Sequence, residues 1–167
     1  MKKAIKFISR AALVGAIYAV LTLALYPISF GAVQFRLSEA LTLLPLLIPE
    51  AIPGLFVGCI VANLLSPNIV VLDVVFGSLA TLIAAVLTSR VKSVWLAPLP
   101  PVICNALIVG AVIAYSEVGA GAGFWAAYLF NLASVGFGEL VVCYALGVPL
   151  ILALRRIAPK IGFAMTN

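Results

Sequence analysis

Histidine is absent from this sequence, and only 9% of its residues are charged. The first absence removes the commonest proton shuttle and metal ligand, and with it every H-E-x-x-H zinc site. The second excludes an ordinary soluble domain, in which about a quarter of the residues carry charge. Cysteine is scarce too. Cys59, Cys104 and Cys143 lie far apart inside apolar runs and show no metal-ligand spacing, so they are expected as buried small hydrophobes, with neither disulfide nor zinc implied. No activated serine or cysteine setting stands out. An intramembrane enzyme would have to use Glu39 and Glu139 as its acid and base, which these absences argue against.

What is present is apolar. Hydrophobic residues make up 65% of the 167, and the mean hydropathy is +1.30. The chain therefore reads as an all-α integral membrane protein, a single membrane domain over 1–167 with little outside the bilayer. Its net charge of +5 is no nucleic-acid footprint, because the Lys and Arg residues fall in three groups flanking apolar runs, as topology signals do.

The apolar runs place spans at about 11–28, 37–49, 52–65, 69–88, 96–115 and 124–154. Lys2, Lys3, Lys6 and Arg10 hold the start of the first in the cytoplasm, and that run is long enough to be a retained span rather than a signal peptide. Pro27 and Gly31 break the chain on the far side. Pro45, Pro49 and Pro53 divide the next stretch into one broken span or two short ones. Two is preferred, because it returns Arg90 and Lys92 to the cytoplasm. Ser66, Pro67 and Asn68 form an outer turn, Trp95 sits at an interface, and SEVGAGAG is an outer loop. The last run is long enough to cross with a tilt and project inward, where Arg155, Arg156 and Lys160 follow. The expected architecture is a bundle of six transmembrane helices with both termini cytoplasmic.

Depth can then be assigned to the polar residues. The stretch VQFRLSEALTLLP, Val33 to Pro45, carries Arg36 and Glu39 three residues apart, able to pair on one helix face. They either mark the end of a span or belong to a site. Asn63, Asp73 and Asn131 fall toward the outer side, and Asn105 and Glu139 near mid-membrane. Asn63 and Asp73 have a cap or helix-start role as their alternative, and Asn105 a bond to a neighbouring backbone. Glu139 is harder to explain so, since a mid-membrane carboxylate needs a partner or a proton. Polar groups from five helices in one half suggest an outward-opening cavity. Surplus carboxylate there (Glu39, Asp73, Glu117 and Glu139 against Arg36) suits a cationic or donor-rich ligand. Phe30, Phe35, Tyr115, Phe124, Trp125 and Tyr128 form the interfacial belt, one or two of them available to stack on a flat heterocycle.

Small residues recur on the first helix at a spacing of four: Ala11, Gly15 and Ala19 in one row, Ala12 and Ala16 in the next. Such a stripe lets another helix approach closely, inside this protein or in a partner.

VQFRLSEALTLLP, PEAIPGLFVGCIVANLLSP and LDVVFGSLATLIAAVLTSR resemble the QueT family of queuosine-precursor transporters, regarded as substrate-binding S-components of energy-coupling-factor (ECF) transporters. The resemblance runs from about Ala11 to Arg156 and is specific from Gln34 to Arg90. It implies a six-helix bundle in a bacterial cell membrane, an outward-facing site for 7-aminomethyl-7-deazaguanine (prequeuosine) or a relative, and neither catalysis nor a cofactor. Partners would be a membrane T-component and two ATP-binding subunits, since this chain has no P-loop. The T-component would dock on an Ala-x-x-x-Ala pattern, supplied by Ala12 and Ala16 with Gly15 and Ala19 beside them. Glu139 and Glu39 would take the ring edge and the ammonium of such a ligand, with Asn105 and Asn131 at its carbonyl and ring nitrogens. Arg36 would orient Glu39 or cover the entrance, with Asn63, Asp73 and Trp125 completing the site. The rivals are an S-component for another small cationic heterocycle, such as a thiamine-like vitamin, and a non-transporting scaffold.

Overall fold

A computed structural model describes residues 1–29, 35–67 and 69–158. Val33, Gln34, Phe30, Gly31, Asn68 and Lys160, all used above, lie outside the described residues, as does the side chain of Lys2. The elements formed by the described residues are all helices. Helix α1 is Lys2–Ala24, a single turn α2 is Tyr26–Ser29, and a 3₁₀ helix follows over Leu37–Leu46. Then come α3 (Ala51–Leu64), α4 (Asp73–Ser89), α5 (Leu99–Val118) and α6 (Phe124–Ile157).

Three helices among the described residues are long and apolar enough to cross a membrane: Lys3–Ala24, Leu99–Val118 and Phe124–Ile157. The other three apolar segments are shorter. In particular the second expected span is not an α-helix. A 3₁₀ helix of ten residues rises only about 20 Å, against about 30 Å of hydrocarbon. Pro45 sits inside it and lacks the N–H that a regular helix would use there.

This 3₁₀ helix is the hub of the bundle. Residues 38–40 and 42–45 are buried, and α1, α3, α4 and α6 all pack against it. Side-chain contacts give the registers. Thr22 meets Ser38, Tyr18 meets Glu39 and Arg10 meets Glu50, so the 3₁₀ helix and its continuation run antiparallel to α1. Cys143 contacts Glu39 and Gly147 lies against Ala40 and Leu43, so α6 runs parallel to it. Helix α4 runs antiparallel to α3 through Asn63–Asp73 and Thr81–Cys59. These directions bring Arg10, Arg90, Arg155 and Arg156 to one end of the bundle. An apolar core of Leu43, Leu47, Ala51, Leu55 and Ile151 fills that half.

Gly15, Gly54 and Gly58 let α1 and α3 pack backbone to backbone. A Cβ on Gly15 would lie 2.7 Å from the Gly54 carbonyl oxygen, and one on Gly58 would lie 2.6 Å from that of Gly15. This corrects one expectation for the small-residue stripe. Gly15 and Ala19 face α3 inside the protein, because their row lies over the glycines of that helix, while Ala12 and Ala16 on the adjacent row are exposed.

Candidate functional site

Burial of a polar side chain is costly unless it is paired, so the buried polar residues mark where this fold holds something other than packing. In the half away from the basic end, six segments converge. The 3₁₀ helix contributes Arg36, Glu39 and Thr42; α1 contributes Tyr18, α3 Asn63, α4 Asp73, α5 Asn105, and α6 Glu139 with Cys143. Glu39 is 1% exposed, Asn105 3% and Glu139 4%.

The contacts form two linked groups. In the first, Arg36 Nη2 pairs with Asp73 Oδ2 at 2.9 Å, and Asn63 Nδ2 donates to the Asp73 carbonyl at 3.0 Å. The ion pair of Arg36 thus crosses to α4, where the sequence spacing offered Glu39 as the neighbour. Asn63 thus ties the end of α3 to the backbone at the start of α4; because it donates to a carbonyl, it does not cap the first-turn N–H groups there. In the second group, Tyr18 donates its hydroxyl to Glu39 Oε1, and Asn105 Nδ2 donates to Glu139 Oε1 at 2.7 Å. The Cys143 thiol lies 3.6 Å from the Glu39 carbonyl and 3.7 Å from Glu139 Oε2, bridging the two carboxylate helices.

Backbone irregularity coincides with these residues. Helices α4, α5 and α6 each contain one π turn, Asp73–Gly77, Asn105–Val109 and Cys143–Gly147, and each begins on a residue of the cluster. Single π turns within α-helices concentrate at functional sites, because the extra residue re-aims side chains that a regular helix would misplace. The 3₁₀ helix acts similarly. Its residues at i and i+3 eclipse, which stacks Glu39 and Thr42 in one row, with Arg36 at the N-cap just before it and Thr42 Oγ1 donating to the Glu39 carbonyl at 2.5 Å.

Within the cluster, three buried acceptors keep no hydrogen-bond partner among the described residues: Glu39 Oε2, Asn63 Oδ1 and Asp73 Oδ1. Orphaned acceptors beside three carboxyls can receive N–H groups or an ammonium, and are ill suited to an anion.

Two predicted site residues stand apart. Asn131 bonds Glu117 Oε2 at 2.8 Å, in a separate pair that joins α6 to the last turn of α5. Trp125 is 69% exposed, in a cluster of rings with Phe124 and Tyr128. Among the other aromatics, Phe35 packs edge to face on Phe137, and Tyr115 lines an open apolar groove of about 560 Å³ between α4 and α5. No residue of the polar cluster lines that groove. The sequence reading missed Tyr18, which is fully buried. Its signal was available: a tyrosine two turns in from the end of an apolar run, too deep for an interfacial belt. It also missed Glu50, whose Oε1 lies 3.0 Å from Arg10 Nη1 at the opposite end of the bundle.

A family model described as QueT transporter matches residues 8–156. The chain belongs to the QueT transporter family. Among curated proteins, the queuosine precursor transporter QueT of Lactococcus lactis subsp. cremoris (strain MG1363) is 39% identical over 74 residues. That stretch is 43% of this chain and 43% of the relative, so the chain matches less than half of its length. No solved structure matches. The family is described as one of transporters.

Proposed function

We propose that this protein is the substrate-binding S-component of an ECF-type importer and that it takes up a queuosine precursor, 7-aminomethyl-7-deazaguanine. The observation that carries this reading is the excess of acceptors: three carboxyls beside one guanidinium, with Glu39 Oε2, Asp73 Oδ1 and Asn63 Oδ1 left without a partner among the described residues. A deazaguanine offers a ring N–H and an exocyclic amine side by side, and its aminomethyl group is a cation at neutral pH. Glu39 and Glu139 receive these groups, Asn105 and Asn63 read the remaining edge, and the Arg36–Asp73 pair borders the site. Asn131 and Trp125 lie nearer the mouth. The name of the Lactococcus lactis relative supports this choice over a thiamine-like vitamin.

The same reading covers topology and partners. Six membrane-crossing segments form the single domain, the basic end faces the cytoplasm with both termini, and the site opens outward in a bacterial cell membrane. The energy comes from a T-component and two ATP-binding subunits, with the exposed Ala12 and Ala16 on the docking face. Access to carboxylates this buried requires the segments around the 3₁₀ helix to part, a movement in keeping with its short reach.

The test is uptake. A bacterium unable to make the precursor should accumulate it from the medium when this chain and the energising subunits are expressed together, and not with either alone. Accumulation with the chain alone would rule out the S-component role. Thiamine uptake without deazaguanine uptake would rule out the ligand.

A further inference from the structure

Tyr18 reaches the candidate site from α1, and nothing in the proposed binding scheme yet uses it. It is 0% exposed, and its hydroxyl donates to Oε1 of Glu39, leaving Oε2 of the same carboxylate without a partner among the described residues. Glu139 is held differently. An amide from Asn105 meets Oε1 at 2.7 Å and a thiol from Cys143 stands 3.7 Å from Oε2, so each of its oxygens has one donor and retains a further acceptor site. These two environments suit different donors. A ring edge with two adjacent N–H groups needs both oxygens of one carboxylate in register, as Glu139 can present them. A primary ammonium needs one, and Glu39 Oε2 is the oxygen that no donor among the described residues occupies.

We propose that Tyr18 is a positioning residue: by holding Oε1 of Glu39 it aims Oε2 at the ligand's primary ammonium, so that the Tyr18–Glu39 pair sets selectivity for charged over uncharged 7-substituted deazaguanines. The inference rests on the transport reading above. A buried phenol is well suited to the role, because it adds no charge, donates one hydrogen bond and has only two torsions to fix. Its helix is itself held, since Thr22 and Ser38 oxygens lie 2.7 Å apart one turn further on, joining α1 to the start of the 3₁₀ helix. The carboxylate is thereby fixed from a helix that carries no other group of the cluster.

The experiment compares dissociation constants of 7-aminomethyl- and 7-methyl-7-deazaguanine for the full chain in detergent, by titration calorimetry. The wild-type protein should prefer the aminomethyl compound. Y18F should weaken that compound by about tenfold and shift the methyl compound by less than about twofold, the loss expected when a bond to a charged group is disordered. Y18F in an E39Q background should add nothing to E39Q alone. Equal weakening of both ligands by Y18F, or of neither, would overturn the assignment while leaving the transport reading intact. Should Y18F not fold, E39Q decides: the preference for the charged ligand should vanish, and its retention would overturn the proposal. Wild-type protein that binds neither compound would refute the transport reading itself, and the role of Tyr18 with it.

Discussion

At the scale of single residues, the buried charges define what can be tested. Glu139 stands on α6 with Asn105 as its donor and with no solvent to share its charge. E139Q should keep the fold, since an amide can still accept from Asn105, and should weaken ligand binding tenfold or more, as a charge-assisted bond contributes about 1.5–3 kcal/mol. Binding titrations of the folded variant measure this directly, and unchanged affinity would remove Glu139 from the site. Arg36 has the opposite profile. R36M leaves the partly buried Asp73 carboxylate without its cation, so it should lower stability by about 3 kcal/mol, read as a fall in melting temperature without ligand. Glu39, Asn105 and Glu139 were legible in the sequence because ionisable and amide groups inside apolar runs are few. The partner of Arg36 was not. Local spacing ranks neighbours on one helix, whereas Asp73 is 37 positions away and is brought near by α4 folding back on α3. Cys59 and Cys143 were read as small hydrophobes; both are buried, and both also touch polar groups of the cluster.

At the scale of elements, four of the six segments that meet at the cluster depart from regular α-helix, while α1 and α3, which bring Tyr18 and Asn63, do not. The 3₁₀ helix and three π turns aim side chains; α1 and α3 supply a rigid glycine-lined contact. Adding one methyl to that contact should be felt. G15A places a Cβ 2.7 Å from the Gly54 carbonyl oxygen, so the helices must separate, at a cost of about 1–3 kcal/mol in thermal stability. A16W places far more volume on the adjacent exposed row and should change stability by less than about 0.5 kcal/mol. Thermal melts of both variants in detergent test the division of the stripe into an inner and an outer row. The stripe itself was plain in the sequence, but its rows were not separable there, because small residues at a spacing of four suit an internal neighbour and a partner equally. The helix type was hidden for a related reason. Hydrophobic periodicity over ten residues does not distinguish 3.0 from 3.6 residues per turn when most positions are buried.

At the scale of the whole molecule, basic residues gather at one end, apolar packing closes that half, and polar side chains meet in the other. The number of apolar segments and their order were legible from proline breaks and charge clusters, since the bilayer imposes both. Their unequal lengths were not, because composition alone does not reveal where a segment stops short of the membrane thickness. If the exposed Ala12 and Ala16 face the energising subunits, A16W should abolish cellular uptake while leaving ligand affinity in the purified protein unchanged; lost affinity would place Ala16 in the binding fold instead. The central claim is that the acceptor-rich cluster binds a cationic deazaguanine. Its most direct test is the melting temperature of the purified chain with 7-aminomethyl-7-deazaguanine, guanine or thiamine, since a ligand bound only by the native state at a hundredfold its dissociation constant adds about 2.7 kcal/mol. A rise with the aminomethyl compound, larger than with guanine and absent with thiamine, is the expected result. A rise with thiamine alone, or none with any of the three in folded protein, would contradict it.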